Sequence, residues 1–153
     1  MKFKITLKID RKHGDLLPFN YQYEQSAVIY RILAQADTQY SSWLHENGYQ
    51  LNGSKRFKLF CYSPFIFEKV RPLPEAGCLK IIGERAVWYI SFIPEKSTLE
   101  FIQGIFAHQS FSIGNKKYQV AFDVVGVEAM PMPQLSEEMI FQALSPICVK
   151  LHE

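Results

Sequence analysis

A chain of 153 residues, 48% hydrophobic and 14% aromatic, can bury the core of one domain, or of one domain with the start of another. A formal net charge of +2 is too small to imply a nucleic-acid partner unless the positive charge is gathered in one place. Cys61, Cys78 and Cys148 form no CxxC pair and lie in or near apolar stretches, which argues against a zinc site or a disulfide framework, and no apolar run reaches the length of a membrane span or signal-peptide core.

Residues 1–10 alternate strictly. Phe3, Ile5, Leu7 and Ile9 fall on one face of a strand, and Lys2, Lys4, Thr6 and Lys8 fall on the other. The lysine face meets either water or an anion. Residues 14–20 read as a loop closed by Pro18, and a helix follows from about Gln22, with Ile29, Leu33 and Ala36 at helical spacing. Asp37 suits the N-cap of a second, short helix that buries Tyr40, Trp43 and Leu44 and ends at Gly48. Asn52, Gly53 and Ser54 make a turn.

A strand is expected over residues 57–63, stopped by Pro64, with an extension over 65–70 beyond a bulge. A proline-rich loop over 71–77 leads to a hairpin of 78–82 and 86–93 around Gly83-Glu84. Pro94 suits a helix start, and Leu99, Ile102, Ile105 and Phe106 give the apolar stripe of a helix reaching Ala107. Residues 111–113 and 117–127 form another hairpin around Gly114-Asn115. Pro131 and Pro133 mark a linker, and 140–151 reads as a last apolar strand interrupted by Pro146. The order β–α–β–β–α–β is that of an α+β, ferredoxin-like (split βαβ) domain with an antiparallel sheet. Residues 1–130 make that domain, and 131–153 make a linker and a first strand beyond it.

Three polar side chains set among aromatics draw chemical interest: Tyr30 in AVIYRIL, His45 in SSWLHENGY and Lys58 in RFKLFCYSPF. An imidazole that exchanges protons near neutrality, an ammonium for phosphate charge and a phenol donor are what a metal-free cut of RNA by its own 2′-hydroxyl needs. Each also has a plain structural reading. Tyr30 suits a core tyrosine with its hydroxyl at the rim, His45 a helix-terminal histidine, and Lys58 an exposed strand lysine. Lys58, Phe60 and Tyr62 share one strand face, a candidate platform on which bases stack while cations hold phosphates, and Arg56 adds charge beside it. Lys2, Lys4 and Lys8 extend the candidate RNA surface. His13, His108 and His152 have no partners that suggest a site, no paired carboxylates suggest a metal, and no GxxxxGK[ST] or GxGxxG loop suggests a nucleotide cofactor.

The words NYQYEQSAVIY, WLHE, FKLFCYSP and ALSPICV, in that order and spacing, resemble the CRISPR repeat-RNA-processing endoribonucleases of the repeat-associated superfamily. The likeness spans nearly the whole chain. It implies a metal-independent enzyme that cleaves CRISPR precursor RNA within its repeats by 2′-hydroxyl attack, while the cysteine usage and hydropathy point to a cytoplasmic protein and the lack of a phosphate loop to no cofactor. The family's active-site tyrosine in the first helix, histidine after the next helix and lysine opening the second strand fall on Tyr30, His45 and Lys58. Implied partners are CRISPR repeat RNA and a CRISPR effector complex, with a homodimer also compatible and no membrane. Family members typically carry a second ferredoxin-like domain ending in a glycine-rich loop, and no such loop occurs among these 153 residues. The expectation is therefore an amino-terminal domain of such an enzyme. The alternatives are a non-catalytic RNA-binding module and a structural or oligomerisation domain.

Overall fold

A computed structural model describes residues 1–36, 49–51, 55–57, 60–92 and 106–143, with 34–36, 49–51 and 55–57 given by their backbone alone. The expected second helix, the turn at 52–54, most of the helix after Pro94 and the end of the 140–151 strand lie outside the described residues, as do His45, Lys58 and Cys148.

The alternating opening segment forms strand β1 (Lys2–Asp10), with Phe3, Ile5, Leu7 and Ile9 buried on one side. It pairs antiparallel with β9 (Arg85–Phe92) on one flank and β11 (Gln119–Met130) on the other. The main sheet runs β10-β11-β1-β9-β5, where β10 is Ser110–Gly114 and β5 is Phe60–Tyr62; β6 (Ile66–Phe67) joins the same flank of β9. Helix α1 (Gln22–Ala36) buries Gln25, Val28, Ile29, Ile32 and Leu33, the i, i+3, i+4, i+7 and i+8 positions of one apolar stripe.

Trp88 and Phe122, both fully buried, lie at the centre of the aromatic core. Trp88 packs edge-on against Phe65 at 5.2 Å, and Phe122 lies 4.9 Å from Phe65 and 5.6 Å from Phe111. The start of α1 is anchored here. Tyr21 stacks on Phe65 at 5.4 Å, and its hydroxyl accepts the Phe65 N–H at 3.2 Å. Gln25, polar and fully buried, donates from Nε2 to the Ser63 carbonyl at 3.2 Å.

Several local expectations are corrected. The residues read as a loop before α1 contain strand β2 (Leu16–Pro18). The residues read as a proline-rich loop contain β7 (Val70–Leu73), which forms a hairpin with β8 (Cys78–Ile81). Together these strands make a three-stranded sheet in the order β2-β8-β7. Pro72 is accommodated because β7 is an edge strand, where a missing N–H breaks no ladder on the open side. Gly77 closes this hairpin in the left-handed region at φ 64°.

The expected hairpin of 78–82 with 86–93 does not form, since β8 and β9 belong to different sheets. In the connection between them the Arg11 guanidinium donates to the carbonyls of Ile81, Ile82 and Gly83 at 3.3, 2.8 and 3.0 Å. The Glu68 carboxylate adds to this by accepting the N–H groups of Glu84 and Arg85. Cys78 is buried as read from the sequence, whereas Cys61 is exposed. The backbone also pairs β3 (Tyr49–Leu51) with β4 (Lys55–Phe57), and the β10–β11 hairpin forms as expected. Residues 131–143 carry no regular secondary structure, so 140–143 do not open the strand expected there, and Leu135, Ile140 and Phe141 are exposed.

Candidate nucleic-acid interface

Because side chains alternate across a strand, the residues that do not face the core share the sheet's opposite side. On β1 these are Lys2, Lys4, Thr6 and Lys8, and on β9 they are Arg85, Val87, Tyr89 and Ser91. The register sets Lys4 opposite Tyr89 and Lys8 opposite Arg85. Lys2 holds its Nζ 4.6 Å from the centre of the Tyr89 ring, a cation–π contact. Lys4 lies 3.4 Å from the Glu128 carboxylate. Lys8 is exposed. Its β11 neighbour Asp123 accepts the Ser110 hydroxyl at 2.6 Å.

Where β1 ends, Lys8, Asp10, Arg11, Lys12, Glu84 and Asp123 line a hollow of about 460 Å³. Asp10 accepts the Lys12 N–H there, and Arg11 is occupied by its three carbonyls. The hollow is thus ionically balanced, with Lys8, Arg11 and Lys12 set against Asp10, Glu84 and Asp123.

The Tyr30 neighbourhood lies on the other side of the sheet, between α1 and β5. Tyr30 is half-buried, and its ring meets Phe60 edge-on at 5.2 Å. Burial, with a smaller contribution from nearby Tyr62, raises the Tyr30 pKa above its ordinary value, so the phenol keeps its proton at neutral pH. The Tyr62 hydroxyl donates to the Gln22 carbonyl at 2.7 Å, and burial raises its pKa against an opposing hydrogen bond with Ser26.

Phe60 departs from its expected place. It is 8% exposed, in contact with Phe92 at 6.0 Å as well as Tyr30. The pairings Phe60↔Phe92 and Tyr62↔Ile90 put both rings on the core side of the sheet, and it is Cys61 that faces outward. A base cannot stack on Phe60 in this setting. The residue that sequence reasoning missed is Tyr89, the aromatic on the open side. It sits in the unbroken apolar run AVWYISF, where only the register separates it from Trp88.

Arg56 is described by its backbone alone, in β4. Among the described residues no group of three or more His, Cys, Asp or Glu side chains is placed to hold a metal ion, and no helix is long and apolar enough to cross a membrane.

A sheet-dominated α+β domain of antiparallel strands is the class these elements define, and solved structures share it. A RAMP protein described as binding different RNA substrates superposes with a TM-score of 0.64 at 23% identity, over 90% of this chain and 51% of that one. A Cas6-related protein from Pyrococcus furiosus gives 0.64 at 24% identity, over 89% and 50%. The profile of the family described as CRISPR-associated protein Cas6, N-terminal, matches residues 16–123, and the chain belongs to that family. Among curated relatives, the CRISPR-associated endoribonuclease Cas6 1 of Methanocaldococcus jannaschii is 27% identical over 147 residues, 96% of this chain and 52% of its own length. The endoribonuclease-like protein Cas6nc of Pyrococcus horikoshii is 25% identical over 150 residues, 98% of this chain and 56% of its own. The chain spans about half the length of the curated relatives it matches.

Proposed function

We propose that this domain serves an endoribonuclease that processes CRISPR precursor RNA within its repeats, by attack of a ribose 2′-hydroxyl on the adjacent phosphate without a metal. In this reading His45 moves the protons, Lys58 stabilises charge on the phosphate and Tyr30 positions the reacting group. Membership of the Cas6 family over residues 16–123 is the observation that carries it. Tyr30, the one of the three candidates among the described residues, is half-buried with its ring edge-on to Phe60 at 5.2 Å.

The strand order β11-β1-β9-β5, with α1 between β1 and β5 in sequence, supports a ferredoxin-like arrangement completed by the helix read after Pro94. The lysines of β1 contribute RNA binding through Lys2, Lys4 and Lys8.

The test is cleavage of a CRISPR repeat RNA by the full-length protein in excess EDTA, with end-group analysis of the products. The expected result is a 2′,3′-cyclic phosphate, and a loss of rate of two or more orders of magnitude in His45→Ala with RNA affinity nearly kept. Unchanged cleavage by His45→Ala would remove that residue from the mechanism, and cleavage abolished by EDTA would remove the metal-free route. A second reading, RNA binding without catalysis, is favoured by the cationic open side of the sheet, which does not depend on the three candidate catalytic side chains. It would stand if the protein bound repeat RNA and cut none.

A further inference from the structure

We propose that the open side of the main sheet holds single-stranded RNA at a two-part subsite, with one base stacked on Tyr89 and a phosphate held between Lys8 and Arg85. The inference rests on the RNA-processing reading above and adds the residues that would grip the strand.

Tyr89 lies on the open side of the sheet, and its neighbours there, Lys4 across on β1 and Val87 and Ser91 along β9, leave it the one ring among the outward residues of β1 and β9. Its backbone is fixed on both sides. The Tyr89 N–H donates to the Ser63 hydroxyl at 3.1 Å, and its carbonyl accepts the Ser63 N–H at 2.9 Å. Lys2 already covers the ring with a cation. An exposed cation–π contact on a flexible stem is weaker than a stacked base, so a base displaces the ammonium and frees it for a phosphate.

Lys8 and Arg85 are opposed across the β1–β9 pair, an arrangement that costs stability when both side chains are cationic. Among the described residues neither forms an ion pair, whereas Lys4 has Glu128 and Lys80 has Asp15. Asp123, across from Lys8, and Glu68, near the Arg85 backbone, keep their negative charge while accepting from the Ser110 hydroxyl and from two N–H groups, and neither comes within ion-pair distance of Lys8 or Arg85. An anion between the two cations relieves the repulsion. Tyr89 lies four strand steps from Arg85, about 13 Å, a distance a short stretch of nucleic acid covers. An aromatic ring with two cations free of ion pairs further along the same strands fits a ligand with both flat bases and phosphates. It does not fit a second copy of the chain, which would need an apolar patch there.

The experiment measures binding of a short, unstructured oligouridine to the 153-residue chain by fluorescence anisotropy across a salt series. Tyr89→Ala should weaken binding on the order of tenfold, and Tyr89→Phe should restore most of it, because stacking needs the ring and not the hydroxyl. The double variant Lys8→Gln, Arg85→Gln should weaken binding and lower the slope of log affinity against log salt by about 0.7 for the one phosphate released. Unchanged affinity and slope in these variants, with the parent chain still binding, would overturn the subsite and leave the nuclease reading intact. No binding by the parent chain at any salt would overturn the subsite, while the cleavage assay on full-length protein would judge the nuclease reading separately. A change in oligomeric state on substituting Tyr89, in place of a change in RNA affinity, would also overturn it and assign the face to contacts between copies.

Discussion

Trp88 and Tyr89 are consecutive residues of one strand, and they belong to different worlds. Trp88 is fully buried against Phe65 and Phe111, while Tyr89 lies half-exposed beside Lys2. The same contrast runs along β1, where the phenylalanine, isoleucine and leucine side carries the core and the lysine side carries charge. The two sides of one sheet therefore divide the labour. Burial of apolar surface on one side supplies the stability, and that frees the other side to hold residues that contribute little or even oppose folding.

The sharpest way to break this comparison is to truncate each neighbour in turn. Trp88→Ala should destabilise the domain by about 3–5 kcal/mol, since it empties the centre of an aromatic cluster. Tyr89→Ala, one position on, should cost no more than about 1 kcal/mol. Urea denaturation of both variants checks this, and equal losses would erase the distinction between the two sides. A smaller effect is expected at Gly114, which turns the β10–β11 hairpin at φ 147°. A β-carbon there would collide with the Tyr118 carbonyl, so Gly114→Ala should cost about 1–3 kcal/mol through backbone strain. A variant as stable as the parent would show that the turn rearranges freely.

The smallest effect concerns pH. Burial raises the pKa values of Tyr21, Tyr30 and Tyr62 above the ordinary value of 10.0. A group that holds its proton more tightly when folded contributes stability that is complete below its unfolded pKa and lost as pH rises through the folded one. Urea midpoints should therefore hold steady up to about pH 10 and fall above it, and Tyr21→Phe should flatten part of that fall. A midpoint that rises with pH in this window would contradict the burial of these phenols.

The elements with strong periodicity are legible in the sequence. The two-residue period of β1 and the helical stripe of α1 are imposed by burial on one side, and each appears in the structure where the pattern indicates. Residues 71–83 were misread for a physical reason. Prolines and Gly83-Glu84 are genuine local turn signals, but the partners of this segment lie far off in sequence: β8 pairs with β2, some 60 positions away, and Arg11, some 70 positions away, holds the carbonyls that follow β8. No local pattern carries that information.

The candidate site shows the same limit. An aromatic run such as FKLFCYSPF announces a strand without saying which parity faces the core, so Phe60 read as a platform turns out to be buried. The unbroken AVWYISF hid Tyr89 for the same reason, because only pairing with β1 settles its orientation. The sequence marks Tyr30 only as a candidate, a hydroxyl in an apolar helix, and the structure adds its contact with Phe60 and the cause of its raised pKa.

The most direct measurement is an NMR titration of the 153-residue chain with the same oligouridine, following backbone amides along β1 and β9. A sheet whose lysine side grips RNA should show saturable shifts at Lys8, Arg85 and Tyr89, together with their strand neighbours, that fade as salt is raised. Shifts confined to α1 or to residues 131–143, with these strands unmoved, would contradict the division of labour between the two sides.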